Sequence, residues 1–332
     1  MKIAIVGAGA IGGYIGVKLA LAGEQVTFLA RGANLEAIRA RGVRLIGSDG
    51  VELVAREVHA TADCRAAGPQ DLVILAVKAH QVESIAPELA GLFTGGTAVV
   101  TMQNGIPYWY FHRHGGDFAG RAVAAVDPSG VCLQHIPPAR VIGSVVYPAA
   151  VLEAPGVIRH IEGNRFPVGE LDGTSSPRVR MVSECFTRAG LQSPVLDDIR
   201  AEIWLKLWGN LTFNPFSALT RATLVDICQY PPTRHLSTAM MTEAQAVAAR
   251  LGISFRVPIE RRIAGAERVG KHKTSMLHDL EAGRALETEA LLGSVVELAR
   301  LTDTPVPILE AVYALTNLLA RQSPFALSPA TH

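Results

Sequence analysis

The sequence predicts an α/β protein, in which a doubly wound parallel sheet in residues 1–172 is followed by an all-helical domain in residues 173–332. Three observations lead to this fold class. The chain has 332 residues, more than one hydrophobic core usually holds, which favours two domains. Its first half alternates strand-like and helix-like segments, a pattern typical of parallel sheets with crossover helices. Its second half carries helical periodicity almost to the end.

In the first half, short apolar and β-branched runs alternate with segments compatible with a helix. Residues 71–77 are apolar almost throughout, as expected of a strand that is buried on both faces of a parallel sheet. The predicted strands are residues 2–6, 25–29, 71–77 and 97–102, and the predicted helices are residues 10–22 and 34–41.

The pattern changes in the middle of the chain. Residues 141–168 are β-rich segments interrupted by prolines, and residues 171–177 form a polar, turn-prone stretch that we take as the domain boundary. Beyond it, apolar residues recur at intervals of three and four, which predicts a helical bundle. The predicted helices are residues 177–189, 199–213, 233–251, 258–269 and 286–301.

Composition excludes several classes of protein. With 49% hydrophobic and 18% charged residues, the chain is not a disordered or linker-like protein. Its net charge of +1 provides no general field for polyanions, so we expect neither nucleic-acid nor membrane binding. The four cysteines are far apart and form no C-x-x-C pair, which favours reduced thiols in a cytoplasmic protein.

The N-terminus superficially copies a signal peptide, because Lys2 precedes an apolar stretch. The glycines of that stretch argue against this interpretation, since they would weaken the helix that a signal peptide forms. No other stretch approaches the roughly 18 unbroken apolar residues of a membrane span. We therefore expect a soluble protein.

A G-x-G-x-x-G motif follows the first predicted strand and begins the first predicted helix. This context predicts the phosphate-binding turn of a Rossmann domain, because the turn amides and the helix N-terminus would face a pyrophosphate. The alternative is a glycine-rich packing turn that binds no ligand. The candidate cofactor-binding residues are Gly7, Ala8, Gly9, Ala10, Ile11 and Gly12.

The end of the second predicted strand indicates the type of cofactor. An NAD-preferring site places Asp or Glu about 20 residues past the turn to bind the ribose hydroxyls. This chain has no acid there, and Arg31 stands where a 2′-phosphate would lie. NADPH is therefore expected rather than NADH, although a solvent-facing arginine is the alternative interpretation.

A polar line runs along an otherwise apolar predicted helix. Lys206, Asn210 and Asn214 recur at intervals of four residues among Trp, Leu, Ile and Phe. Burying these groups is unfavourable unless they satisfy one another or line a cavity with a polar ligand. A solvated face of an amphipathic helix is the alternative. Desolvation would lower the pKa of Lys206 and make it a suitable proton donor for ketone reduction.

With these features, the chain resembles the ketopantoate reductase (2-dehydropantoate 2-reductase) family nearly end to end. The resemblance implies an N-terminal Rossmann domain, a helical domain similar to that of 6-phosphogluconate dehydrogenase, and an active site in the cleft between them. It also implies NADPH-dependent reduction of 2-dehydropantoate to D-pantoate, a step towards pantothenate and coenzyme A. The matching segments are residues 7–12, 77–81, 103–105, 202–214 and 274–279, leading to Glu287.

The resemblance also implies roles for single residues. Lys206 matches the catalytic proton donor, and Glu287 matches the acid that binds the substrate hydroxyl. Asn210 and Asn214 match amides that hold the substrate. Ser275 matches a hydroxyl that binds the substrate carboxylate together with nearby backbone.

Lys78 and Asn104 match groups at the cofactor, and Asn104 also matches a group at the substrate; both follow predicted strands. Taken singly, the matched residues have ordinary alternatives. Lys78 would then be a loop lysine and Asn104 part of a turn, while Ser275 would cap a helix and Glu287 would be a solvated charge.

The sequence departs from the family pattern on the substrate side, at Leu286, at Leu292 and at residues 272–273. These departures concern the substrate rather than the type of reaction, so a related NADP-dependent reductase of another 2-oxo acid is one alternative. A non-catalytic NADP-binding sensor is a second, against which the presence of Lys206 and Glu287 argues. We expect no metal site, since the ten histidines show no zinc-like spacing. The apolar residues 306–319 fit either a homodimer interface or packing within the bundle.

Overall fold

The structure, a computed structural model, describes residues 1–322. Its strands form a seven-stranded sheet and a separate four-stranded sheet. In chain order the strands are β1 (Lys2–Val6), β2 (Gln25–Leu29), β3 (Val43–Ile46), β4 (Glu52–Ala55), β5 (His59–Thr61), β6 (Leu72–Leu75), β7 (Ala98–Thr101), β8 (Val141–Ser144), β9 (Ala149–Ala154), β10 (Val157–Glu162) and β11 (Val168–Glu170).

The seven-stranded sheet is the predicted parallel sheet. Its order is β11-β8-β7-β6-β1-β2-β5, and every neighbouring pair is parallel except β11 with β8. All residues of β6 and β7 are buried, as expected for strands that are covered on both faces. Strand order reverses on the two sides of β1, so the predicted doubly wound fold class is confirmed.

Helices make up most of the remaining described chain. Short 3-10 helices cover Ala86–Leu92, Gly116–Phe118 and Pro138–Arg140, and a π-helical turn, Glu289–Gly293, precedes the last helix but one. In chain order the α-helices are α1 (Ala10–Leu21), α2 (Gly32–Arg41), α3 (Cys64–Ala67), α4 (Ala79–Ile85), α5 (Val131–His135), α6 (Pro177–Arg188), α7 (Ile199–Thr220), α8 (Leu224–Gln229), α9 (Pro231–Arg250), α10 (Ile259–Val269), α11 (Ser275–Glu281), α12 (Ser294–Leu301) and α13 (Pro307–Gln322).

The predicted helices are all present, with differences in extent and number. The segment predicted as a helix over residues 286–301 consists of the π-helical turn Glu289–Gly293 and α12, and residues 286–287 are not helical. Helix α7 continues beyond the predicted end at residue 213 and passes through Pro215. The sequence prediction omitted α3, α4, α5, α8 and α11, because four to seven residues are too few to show a helical period. It also omitted α13, whose residues it described only as apolar.

The four-stranded sheet, in the order β4-β3-β10-β9, covers the outer side of α1. Helix α1 is therefore packed on both sides, and its glycines permit the close approach. A Cβ at Gly13 would lie 2.5 Å from the Ile158 side chain, and a Cβ at Gly16 would lie 2.4 Å from the Phe28 ring. The β-rich character of residues 141–168 was predicted, but its pairing with β3 and β4 was not.

The chain divides into two compact units. Helix α6, which the sequence assigns to the helical domain, lies in the first unit because Val182 and Phe186 are buried in the core of the sheet. The domain division at residue 173 stays a prediction. The first unit comprises Met1–Gln103, Trp109–Ala122 and Ser129–Ile199, and the second comprises Asn104–Tyr108, Val123–Pro128 and the described residues 200–322.

Three further observations concern the sequence predictions. The cysteines at positions 64, 132, 185 and 228 are free and buried. Within residues 1–322, no helix has both the length and the apolar character needed to cross a membrane. Across the same residues, no group of three or more His, Cys, Asp or Glu side chains is placed to hold a metal ion.

Candidate active site

The glycine-rich turn joins β1 to α1 at the carboxyl edge of the main sheet. Gly7 has φ +99°, and a Cβ there would lie 2.7 Å from the Val77 side chain, so only glycine fits. A Cβ at Gly12 would lie 1.9 Å from the Gly7 carbonyl oxygen. These two glycines therefore let the turn close on itself and on the loop that follows β6.

Gly9 differs from its neighbours, because a Cβ there would meet nothing within 4 Å. It is the N-cap of α1, and no side chain caps this helix or places an acid in its first turn. The first amides of a helix have no intrahelical partner, and the positive end of the helix dipole favours an anion. The open space and these amides fit the pyrophosphate of a dinucleotide.

Asn34 holds this turn from outside the motif. Its Nδ2 donates to the Ala8 carbonyl oxygen at 2.7 Å, and its Oδ1 accepts from the Gly156 amide at 2.8 Å. One side chain thus connects the glycine-rich turn to the β9–β10 hairpin. The sequence analysis missed Asn34; its only local signal is an asparagine in the first turn of the helix after β2.

Arg31 precedes α2 at the end of β2, and its side chain is 69% exposed. Its Nη2 lies 3.3 and 3.4 Å from the two carboxylate oxygens of Glu88. Glu88 belongs to the 3-10 helix Ala86–Leu92, which follows α4. Arg31 is therefore paired with a carboxylate 57 residues further along the chain, a contact that sequence reasoning missed.

Lys78 lies directly after Val77, which contacts Gly7, and it precedes α4 as its N-cap. Two amide side chains shape this region. The Lys78 amide donates to Gln81 Oε1 at 3.1 Å, and Gln103 Nε2 donates to the carbonyl oxygens of Leu75 and Val77, both at 2.8 Å. The carboxyl end of β6 is thereby held beside the glycine-rich turn.

In the second unit, α7 carries the polar line that the sequence predicts. Trp204, Trp208 and Leu211 are fully buried, so the apolar sides of the helix are packed. Lys206 and Asn210 are half-buried, and Asn214 is buried. The line is thus not the solvated face of an amphipathic helix.

Lys206, Asn104 and Glu287 form a connected polar group. Lys206 Nζ donates to Asn104 Oδ1 at 2.6 Å, and Asn104 Nδ2 lies 3.5 Å from Glu287 Oε2. Glu287 stands just before the π-helical turn Glu289–Gly293. Three segments that are far apart in sequence therefore meet at one lysine.

The Asn104 loop is held by close backbone packing. Gly105 has φ +90°, and a Cβ there would lie 2.0 Å from the Ala290 carbonyl oxygen. The Ile106 amide donates to the same oxygen at 3.1 Å. Glycine is therefore required next to Asn104, and the π-helical turn sets the position of the Asn104 amide.

The surroundings of Lys206 change its acidity. Burial lowers the pKa of the Lys206 ammonium to about 8, and the Glu287 carboxylate opposes that change. At pH 7 about nine-tenths of the ammonium would carry its proton at such a pKa. The group is thus protonated near neutral pH, yet far more acidic than an ordinary lysine.

Ser275 is exposed at the first position of α11. The helix is capped by Thr274, whose Oγ1 accepts from the Leu277 amide at 3.3 Å, so Ser275 is not the cap. Asn210 and Asn214 lie about one and two turns beyond Lys206 on α7, and Ser275 lies at the start of α11. Of the predicted substrate residues, the structure brings together Lys206, Asn104 and Glu287.

Comparisons with known proteins agree over nearly the whole chain. The family model described as ketopantoate reductase PanE/ApbA matches residues 3–173, and the model of its C-terminal part matches residues 198–320. A Mesorhizobium japonicum protein named 2-dehydropantoate 2-reductase is 54% identical over 321 residues, which are 96% of this chain and 98% of that protein.

Solved structures give the same result. A Ralstonia solanacearum MolK2 protein assigned as a ketopantoate reductase has a TM-score of 0.92 at 43% identity, over 96% of this chain and 98% of that one. The 2-dehydropantoate 2-reductase of Geobacter metallireducens GS-15 has a TM-score of 0.83 at 27% identity, over 96% and 99% of the two chains.

Proposed function

The chain belongs to the ketopantoate reductase family of oxidoreductases, and from this premise we propose that it reduces 2-dehydropantoate to D-pantoate with NADPH. The observation that carries the proposal is the polar group in which Lys206 Nζ donates to Asn104 Oδ1 and the Asn104 amide faces Glu287. A half-buried lysine with a lowered pKa is suited to give a proton to a ketone oxygen. The pathway is then the synthesis of pantothenate and coenzyme A.

Lys206 is the proton donor of this mechanism. When bound, the reduced nicotinamide supplies the hydride that adds to the substrate carbonyl carbon. The carbonyl oxygen takes the proton from Lys206 Nζ as its negative charge develops, and the product is the hydroxy acid. Desolvation destabilises the ammonium in the ground state, so that proton transfer to the oxygen is favoured.

Glu287 and Asn104 keep the lysine in place. The Glu287 carboxylate favours the charged ammonium, which ensures that the proton is present near neutral pH. We assign to Glu287 a second role, to accept a hydrogen bond from the substrate hydroxyl. Asn210 and Asn214 then hold the substrate by their amides, and Ser275 contributes a hydroxyl to the substrate carboxylate.

The first unit holds the cofactor in this proposal. The open space at Gly9 and the uncapped N-terminus of α1 suit the pyrophosphate. Arg31 would hold the 2′-phosphate of NADPH, and for this it would have to give up its bond to Glu88. Lys78 lies beside the glycine-rich turn and adds a second positive charge there.

An absorbance assay of NADPH oxidation tests the proposal. We expect turnover with 2-dehydropantoate, with NADPH preferred when NADH is run in parallel. Lys206→Ala should abolish turnover while NADPH still binds. Near-normal turnover in that variant would refute the role of Lys206.

A panel of other 2-oxo acids separates this proposal from its alternatives. A clear preference for another acid would replace 2-dehydropantoate as the substrate. A protein that binds NADPH but oxidises it with no acid of the panel would instead be the non-catalytic sensor.

We also propose a cytoplasmic homodimer. Leu309 and Val312 of α13 pack inside the bundle, whereas Leu315 and Leu318 are 55% and 56% exposed. These two leucines form an apolar patch that a second copy would cover. Light scattering after size exclusion should give twice the monomer mass for the native chain and the monomer mass for Leu315→Glu.

A further inference from the structure

Helix α7 contains a glycine whose position is explained by an arginine on another helix. Gly209 is buried inside this helix, where glycine is among the least favoured residues. A Cβ at Gly209 would lie 2.2 Å from Arg262 Nη2 and 3.0 Å from its Cζ. The guanidinium of Arg262 therefore rests on the backbone of α7, in the space that a side chain at position 209 would fill.

This guanidinium lies beside the turn of α7 that carries Lys206. Gly209 is three residues after Lys206, and residues three apart are neighbours on a helix surface. Arg262 is carried by α10, whose Ile263 is buried, and Arg262 itself is half-buried. The helical unit thus presents a second cation within one turn of the proposed proton donor.

We propose that Arg262 binds the carboxylate of the 2-oxo acid substrate, an inference that rests on the proposed reductase function. The planar fork of a guanidinium matches a carboxylate in a bidentate arrangement. In a 2-oxo acid the carboxylate adjoins the carbonyl group that Lys206 protonates, so the carboxylate needs a cation near Lys206, and Arg262 rests on the residue three positions after Lys206 in α7.

The charges of the group agree with this assignment. Lys206 and Arg262 are positive and Glu287 is negative, which leaves one positive charge for a monoanionic acid. Ser275, which the family resemblance places at the carboxylate, is a neutral hydroxyl. Arg262 supplies the charge that a serine lacks, and it selects acids over neutral ketones.

The test compares 2-dehydropantoate with its primary amide in the native enzyme, in Arg262→Met and in Arg261→Met. Arg261 is the matched control, because it is the exposed neighbour on the same helix. Loss of a charged hydrogen bond should lower kcat/KM for the acid by about ten- to 150-fold in Arg262→Met. The kcat/KM for the amide should change little, so that the ratio of kcat/KM for the acid to kcat/KM for the amide (the acid-to-amide ratio) falls. The Kd for NADPH should stay unchanged.

Gly209→Ala is the second variant. It keeps Arg262 but pushes the guanidinium off α7, and we expect the same fall in the acid-to-amide ratio. This variant decides the question if Arg262→Met does not fold.

The outcomes separate the inference from the proposed function. No NADPH oxidation by the native enzyme with the acid would refute the proposed function itself. A native enzyme that is active, together with an unchanged acid-to-amide ratio in both variants, would overturn the role of Arg262. Equal losses for acid and amide would also overturn it, because they would show a purely structural role.

Discussion

Replacing Glu287 with glutamine should move the alkaline limb of the pH–rate profile to lower pH. In the proposed mechanism Lys206 gives its proton only while it is protonated, so activity should fall as the pH rises through its pKa of about 8. The Glu287 carboxylate raises that pKa against the effect of burial. Without this negative charge the ammonium loses its proton at lower pH.

The structure sets the size of the change. Lys206 Nζ lies 2.6 Å from Asn104 Oδ1, and Asn104 Nδ2 lies 3.5 Å from Glu287 Oε2. With about 2.3 Å across the amide, the two charges lie within about 8 Å of each other. At an effective dielectric constant of about 20 they interact with roughly 2 kcal/mol, or about 1.5 pH units. Above pH 8 the protonated fraction should therefore fall about 30-fold.

The measurement is kcat for NADPH oxidation as a function of pH, at saturating 2-oxo acid. Glu289→Gln is the matched control, since this carboxylate accepts from the Tyr313 hydroxyl and belongs to the π-helical turn. We expect its alkaline limb to stay where the native enzyme has it. An alkaline limb that Glu287→Gln leaves in place, or moves to higher pH, would refute the coupling of Glu287 to Lys206.

Three further predictions concern Arg31, the Asn104 loop and the glycine-rich turn. Glu88→Gln removes the competitor for Arg31 and should lower the Kd for NADPH by up to about five-fold, as expected for an exposed ion pair. Glu36→Gln breaks another exposed ion pair of the same unit and should leave the Kd for NADPH unchanged. An equal fall in Kd in both variants would contradict the competition between Glu88 and the cofactor for Arg31. Gly105→Ala should lower the free energy of unfolding by about 1–3 kcal/mol, seen by denaturant titration, and kcat at least ten-fold, because the loop must leave its left-handed conformation. Asn34→Ala should weaken NADPH binding about ten-fold in a fluorescence titration without changing kcat, since it releases the glycine-rich turn; a lower kcat at saturating NADPH would contradict this.

The cofactor preference shows how far local sequence reasoning reaches. The absence of an acid at the end of β2 is visible in the sequence, and it predicts NADPH. The structure adds Glu88, which reaches Arg31 from a helix beyond β6. Such a neighbour leaves no local signal, because the 57 residues between the two side chains are brought together only by the packing of the sheet.

The same distinction applies to α7. Periodicity placed Lys206, Asn210 and Asn214 on one line, since the geometry of a helix depends only on neighbouring residues. The proposed proton donor, Lys206, was therefore identified from its own helix and from the family resemblance. Its partners were matched by resemblance alone, and the structure shows by which contacts Asn104 and Glu287 reach it.

By itself, the sequence determined the strands of the parallel sheet, the glycine-rich turn and the polar line of α7. Each of these is encoded by residues that lie close together in the sequence, within a single strand or within two turns of a helix. Only the tertiary structure decided that a second sheet covers α1, that the π-helical turn holds the Asn104 loop, and that Arg262 rests on Gly209. The contacts of β9 and β10 with α1, of the π-helical turn with the Asn104 loop and of Arg262 with Gly209 each join segments more than 50 residues apart. They depend on how complete elements pack, which no local pattern records.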